Sequence, residues 1–291
     1  MKHSAQVGVL GGTGLYAFEG LSSVERVRVP TPFGEPSDEY VVGEYRGVKV
    51  AFLARHGRGH RLLPSEVNYR ANIFGFKLLG VDVLLSVSAV GSMREEIHPM
   101  DVVLPDQFFD RTKTRASTFF GDGLVAHISM ADPVCPWLLA RASEVCRRRG
   151  LPVHSGGTYL CIEGPAFSTK AESRIYRGWG VDVIGMTAIP EAKLAREAGM
   201  CYLLMAFVSD YDVWHETEEA VNVEMILEVL RKNADNASQI VAEVLTELSE
   251  ERDCQCGNAL SSAFITDPSV VPEELIGRLR PLVGDHLEGG Q

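Results

Sequence analysis

Asp210 and Asp212 stand two positions apart, just after the apolar run 202–208, so at the end of a strand both carboxylates project from one face. Two neighbouring acids raise one another's proton affinity, and one held protonated near neutrality is a general acid. The plain alternative is a pair of solvated or turn-capping aspartates. The lack of further oxygen ligands nearby disfavours a calcium loop. Three other places could hold an anion. Gly11-Gly12-Thr13-Gly14 closes the first apolar run, where glycines bring backbone N–H groups close to a ligand and Thr13 adds a hydroxyl. The same residues overlap a dinucleotide fingerprint, but Ala17 fills the third glycine place and no second strand ends in an acid about 20 positions on. Arg55-His56 ends the run 48–54 and offers a planar fork plus an imidazole donor. Ser88, Ala89 and Gly91 follow a third run and supply a hydroxyl and backbone donors; an ordinary strand-to-loop turn is the competing reading.

Short apolar strands must carry these groups. Residues 6–10, 48–54, 81–90, 183–186 and 201–208 read as strands, with helical patterns between them: one capped by Ser65 and running to Leu79, then 135–149, 170–179 and 191–198. This alternation is an α/β order. Residues 40–54 alternate around Arg46-Gly47 like a hairpin, which puts antiparallel pairs into the sheet and makes it mixed. Apolar residues recur every three or four positions over 220–248, predicting one long helix, and a short helix is expected at 273–280. The reading is a single α/β domain over 1–291, a central mixed β-sheet flanked by helices, with the pattern weakest in the tail 250–291.

A chain of 291 residues that is 45% hydrophobic and 23% charged can bury a sizeable core. Its net charge of −11 argues against nucleic acid as partner. The apolar runs are far shorter than the roughly 20 residues a membrane span requires. The amino terminus enters a glycine turn without an apolar signal core, so a cytoplasmic protein is expected. Of six cysteines only Cys254 and Cys256 are close in sequence, and a lone C-x-C lacks the second ligand pair of a structural zinc site, so free thiols and no metal are expected.

Taken in order, GGTGL (11–15), TPFGEPSD (31–38), ARHGRGHRLLPSEVNYRAN (54–72), GSMREEI (91–97), DQFFDRT (106–112), IEGPAFST (162–169), AESRIYRGWGVDVIGMT (171–187) and SDYDVW (209–214) resemble the purine nucleoside phosphorylase family over residues 7–248. The resemblance implies a nucleoside phosphorylase-like fold and a homotrimer or dimer of trimers. It implies phosphorolysis of 5'-methylthioadenosine to adenine and 5-methylthioribose 1-phosphate, with no cofactor and inorganic phosphate as co-substrate. Carried onto these positions, it assigns phosphate to Thr13, Arg55, His56, Ser88, Ala89 and Thr187, the base to Phe167, Ser168, Asp210 and Asp212, and the ribose to Met186. Val223 and Ile226 would line a methylthio pocket, with His127 arriving from a neighbouring subunit. Ser88 replaces the Thr of many relatives and keeps the hydroxyl; Ala166 replaces a larger polar residue. Some heat-adapted relatives carry disulfides and a C-x-C in this region, which extends that alternative to Cys135, Cys201, Cys254 and Cys256.

On this reading Asp210 is the catalytic acid at purine N7, while two carboxylates facing the 6-position suit an amino group and repel a carbonyl. The rivals are a phosphorylase of methylthioinosine or 6-oxopurine nucleosides, and a non-catalytic adenine-nucleoside sensor. The first is opposed by the aspartate pair, the second by an anion site that a sensor would not need.

Overall fold

The computed structural model describes residues 4–12, 20–215, 223–248 and 252–287. Thr13 lies outside the described residues, as do the side chains of Val223 and Ile226. The strands are β1 (Val7–Gly11), β2 (Ser22–Val27), β3 (Tyr40–Tyr45), β4 (Val48–Ala54), β5 (Val83–Ser92), β6 (Val102–Leu104), β7 (Gln107–Arg111), β8 (Val153–Ser155), β9 (Thr158–Ile162), β10 (Val183–Gly185) and β11 (Cys201–Tyr211). The helices are α1 (Tyr69–Leu78), α2 (Pro136–Arg148), α3 (Lys170–Gly178), α4 (Ala188–Glu197), α5 (Val223–Glu247) and α6 (Glu273–Leu287).

All the strands belong to one mixed sheet, whose main path runs β2-β3-β4-β1-β5-β10-β9-β7, with β11 on β5 and β6, and β8 on β6. At its centre β4, β1, β5 and β11 are parallel, so their carboxyl ends open on the same side. In open α/β sheets that is where ligands collect. These strands are buried on both faces and therefore read as continuous apolar runs. On β11, Leu203, Met205 and Phe207 pack toward α2 and α5, while Tyr202, Leu204, Ala206 and Val208 join the core shared with α1, α4 and α6. The expected hairpin is β3 and β4, antiparallel with Tyr45 opposite Val48. Its turn residues Arg46 and Gly47 both have positive φ, 48° and 87°, the backbone that a two-residue hairpin of matching twist requires.

Several boundaries differ from the sequence reading. Helix α1 is capped by Asn68, whose side chain accepts from the Ala71 N–H, because residues 63–67 close a turn of their own and leave Ser65 outside the helix. Helix α4 starts at Ala188, ahead of the expected Glu191. Strand β11 continues past Val208 through a bulge, because β5 also continues: Asp210 pairs with Gly91 and Tyr211 with Ser92. Helix α6 runs through Pro281 to Leu287, since Leu282 and Val283 are buried and outweigh the hydrogen bond that the proline cannot make. Among the described residues no helix is long and apolar enough to cross a membrane.

Candidate active site

A cavity of about 810 Å³ opens at the carboxyl ends of the central strands. It is lined by Gly12, Arg55, His56, Ser88, Ala89, Phe167, Ser168, Met186, Thr187, Asp210 and Asp212, so residues spread over nearly 200 positions converge on one site. Each comes from a strand end or the turn beyond it: Gly12 after β1, Arg55 and His56 after β4, Ser88 and Ala89 on β5, Met186 and Thr187 after β10, and the aspartates on and after β11. Phe167 and Ser168 lie in the loop from β9 to α3.

One end of the cavity gathers hydrogen-bonding groups suited to an anion. The hydroxyls of Ser88 and Thr187 lie 3.2 Å apart, and Thr187 does not spend its side chain on capping α4. His56 accepts no proton readily: burial first, and then the charge of Arg55, lower its pKa to about 4. Its Nδ1 lies 2.9 Å from the Leu62 carbonyl, so in the neutral ring Nδ1–H donates there and Nε2 is left as an acceptor. His60 stacks on His56 with ring centroids 4.3 Å apart.

Arg55 has partners that its place in the sequence does not show. Its guanidinium is buried, 1% exposed, and its Nε donates to Glu191 Oε2 at 2.9 Å. Nη1 donates to the Val87 carbonyl, and Nη2 to the Leu10 carbonyl and to Ser86 Oγ. The planar fork is thus committed to a carboxylate and to strands β1 and β5, and one Nη1 hydrogen is left without an acceptor among the described residues. Burial disfavours the charge on Arg55, and Glu191 outweighs that and leaves the pKa raised. Glu191 is fully buried and also accepts from Ser86 Oγ at 2.5 Å and Tyr202 Oη at 2.9 Å.

The other end presents the carboxylates. Asp210 Oδ2 accepts from Ser209 Oγ at 2.5 Å, and Asp212 Oδ2 accepts from the buried Ser173 Oγ on α3, also at 2.5 Å. The Asp212 carboxyl is pushed above the usual range by burial, against the pull of Ser173 and the Val213 N–H. Burial rather than repulsion from a neighbouring acid is therefore what raises it. Gly91 lies under both: a Cβ there would sit 3.3 Å from Asp210 Oδ1 and 3.5 Å from Asp212 Cβ. Phe167 is 80% exposed with its ring at the cavity, and the Ser168 hydroxyl is shielded from solvent without a partner among the described residues.

Helix α5 covers the cavity with Leu230, Asn233, Ala234 and Ala237. Asn233 donates to the Val208 carbonyl at 2.9 Å, while its buried Oδ1 has no donor among the described residues. Thr13, and the side chains of Val223 and Ile226, fall outside the described residues. His127 is exposed and does not line this cavity; its N–H donates to the Ala263 carbonyl.

Glu191, Ser173 and Asn233 escaped the sequence reading as site residues. For Glu191 a signal existed: it shares a helix face with Ala188 and Ala195, a carboxylate on an apolar stripe. Ser173 and Asn233 sit on helices whose contacts only the fold sets.

A parallel-centred mixed sheet with anion donors facing an aspartate pair defines a nucleoside phosphorylase, and the chain belongs to the Phosphorylase superfamily, whose sequence model matches residues 6–246. Within it, the chain is 55% identical to the S-methyl-5'-thioadenosine phosphorylase of Koribacter versatilis, covering 97% of each chain. A methylthioadenosine phosphorylase structure from an antarctic soil metagenomic library superposes with a TM-score of 0.93 at 48% identity, covering 96% of this chain and 99% of that one. A variant of the Schistosoma mansoni adenosine/methylthioadenosine phosphorylase in complex with methylthioadenosine gives 0.78 at 37%, covering 84% and 91%.

Proposed function

We infer that this chain catalyses the phosphorolysis of 5'-methylthioadenosine, releasing adenine and 5-methylthioribose 1-phosphate. The observation that carries the reading is the division of one cavity into hydroxyl and imidazole groups at one end and two serine-held carboxylates at the other. Relatives bearing that activity in their names, 55% identical across 97% of this chain, support it.

An oxygen of bound phosphate attacks C1' as the bond from C1' to N9 breaks, and the bonding pair leaves with the purine. Asp210, carrying a proton, gives it to N7 as that charge develops. Asp212 accepts from the 6-amino group with the oxygen that Ser173 leaves open, and Phe167 supplies a face for the base. Ser88, Thr187, the Ala89 N–H and the remaining Arg55 hydrogen hold phosphate beneath the sugar, with Gly12 closing that end. Neutral His56 accepts a phosphate O–H at Nε2. Fixing phosphate in line contributes on the order of several kcal/mol through proximity. Met186 packs on the ribose, and Val223 and Ile226 at the start of α5 take the methylthio group.

A homotrimer in the cytoplasm is part of the same proposal, with His127 of one subunit completing the 5' end of the next. Its absence from the cavity of its own chain, and its exposure, accord with that role. Adenine release from methylthioadenosine with and without inorganic phosphate, with methylthioinosine as competing substrate, tests the reading. Release that does not need phosphate makes the protein a hydrolase, and preference for methylthioinosine overturns the roles of Asp210 and Asp212.

A further inference from the structure

In sequence, Cys254-x-Cys256 lacks a second ligand pair; the fold supplies it. Cys135 stands immediately before α2 and Cys201 is the first residue of β11, and the Sγ atoms of all four lie within 4.8 Å of one another. The Cys201 and Cys254 sulfurs are 3.4 Å apart. A zinc ion with bonds of about 2.3 Å to four thiolates needs sulfur–sulfur edges of roughly 3.8 Å, so the cluster requires shifts of about an ångström or less. Cys135, Cys201 and Cys256 are 0%, 2% and 3% exposed, and Cys254 is half-buried.

The surroundings suit an anionic centre. Four thiolates around a divalent cation carry a net charge of 2−. The α2 amino terminus, the positive end of its helix, begins at Cys135, whose side chain makes no capping bond. Arg252 Nη1 lies 3.9 Å from Cys201 Sγ. Two ligands are set by the core: the Cys135 N–H donates to the Tyr202 carbonyl, and the Cys201 N–H to the Asp82 carbonyl. The other two come from the segment that follows α5, which has few packed apolar residues before Leu260 among its described residues.

We propose that Cys135, Cys201, Cys254 and Cys256 bind one zinc ion in a closed tetrathiolate site that fastens the segment after α5 to β11 and α2. On binding, four S–H bonds break, four zinc–sulfur bonds form and four protons pass to solvent, with no change of oxidation state. Pairing the same sulfurs as disulfides would instead remove two electrons per bond to an oxidant. Four protein ligands leave no open position for substrate, and none of the four lines the cavity, so the ion is structural.

The test is elemental analysis of protein purified without reductant, chelator or added metal, with thiol titration of the unfolded chain. One zinc per chain and six titratable thiols are expected, with zinc released in step with mercurial modification. Protein refolded with cobalt(II) should show the intense thiolate charge-transfer and visible bands of a tetrahedral sulfur site. The double variant Cys254→Ser/Cys256→Ser should lose the ion while Cys146→Ser keeps it. Should the double variant fail to fold, stripping zinc from the folded wild-type chain with a chelator should expose the tail after residue 252 to protease. Six thiols with no metal, fewer than six thiols, iron in place of zinc, or zinc retained by a folded double variant would each overturn the proposal.

Discussion

Arg55 and Glu191 form a buried ion pair under the anion end of the cavity, with Nε 2.9 Å from Oε2 and side chains 1% and 0% exposed. Buried pairs of this kind contribute little net stability, because desolvation offsets their attraction, but breaking one strands a charge. The pair fixes the guanidinium against two neighbouring strands, through Leu10 of β1 and Ser86 and Val87 of β5. It also holds at that end of the cavity a cation whose charge is already partly balanced.

Replacing Glu191 with Gln keeps the shape and leaves Arg55 unpaired. The phosphate-free protein should lose on the order of 3 kcal/mol. A phosphate dianion then becomes the best available partner for Arg55, so the rise in melting temperature on adding phosphate should be larger in Glu191→Gln than in the wild type. Turnover should fall because the guanidinium is free to re-aim. Thermal denaturation with and without phosphate checks this; an equal rise in the two proteins would mean that Glu191 does not govern the Arg55 charge.

Asp210 is half-buried at the cavity and belongs to none of the apolar clusters, and its carboxylate accepts from Ser209 Oγ, so removing it leaves the core intact. Asp210→Ala should lower kcat by about 10²–10⁴-fold, the usual range for a lost general acid, with a change in stability within about 1 kcal/mol. Asp210→Asn should recover affinity for 6-oxopurine nucleosides, since an amide can donate to O6. Steady-state kinetics on methylthioadenosine and methylthioinosine measure both, and unchanged kcat in Asp210→Ala would remove the residue from the chemistry.

Much of this site was legible because its residues stand at the ends of apolar runs, where strand geometry says side chains must emerge. Arg55, Ser88 and Asp210 are all of that kind and line the cavity, whereas Thr187, which also lines it, came from the family resemblance. Long central strands were legible for the same reason, whereas β6 and β8 have three residues each and β2 is largely exposed, leaving little periodicity to read. What sequence order hides is which side chains meet across the fold. The Arg55 fork looked available until Glu191, 136 positions away, was found in it. Cys254 and Cys256 looked unaccompanied until β11 and α2 brought Cys201 and Cys135 to them.

Gly91 offers a test of carboxylate positioning that touches no polar group. A methyl there would lie 3.3 Å from Asp210 Oδ1 and 3.2 Å from Ile184 Cγ2, closer than side chains ordinarily approach. The aspartate is the softer neighbour, since Ile184 is packed in a buried cluster. Gly91→Ala should therefore displace Asp210 and lower kcat on the order of tenfold to a hundredfold, as small misplacements of reacting groups do. Phosphate affinity, read from protection against thermal unfolding, should hardly change. Full turnover in this variant would show that the base end tolerates more play than this geometry implies.

Two buried groups set opposite limits on stability with pH. Burial pushes the Glu197 carboxyl up to about 7, although Thr118 Oγ1 and the Phe119 N–H, each at 2.7 Å, favour its ionised form. The unfolded chain gives up that proton near 4.5 while the folded chain keeps it to about 7. This contribution is thus full below pH 4.5 and is lost as pH rises through 7. His56 works the other way: its folded pKa is about 4 against 6.5 unfolded, so its contribution is full above 6.5 and is lost as pH falls toward 4. Phosphate bound beside His56 favours the cation and should relieve the acid-side loss. Glu197→Gln keeps an acceptor for Thr118 and Phe119 and has no charge to bury. It should be more stable than the wild type at pH 8 by on the order of 2 kcal/mol, and closely similar to it at pH 4.5. Urea denaturation at the two pH values decides the matter: a difference that is the same at both would mean that the Glu197 proton is not held by the fold.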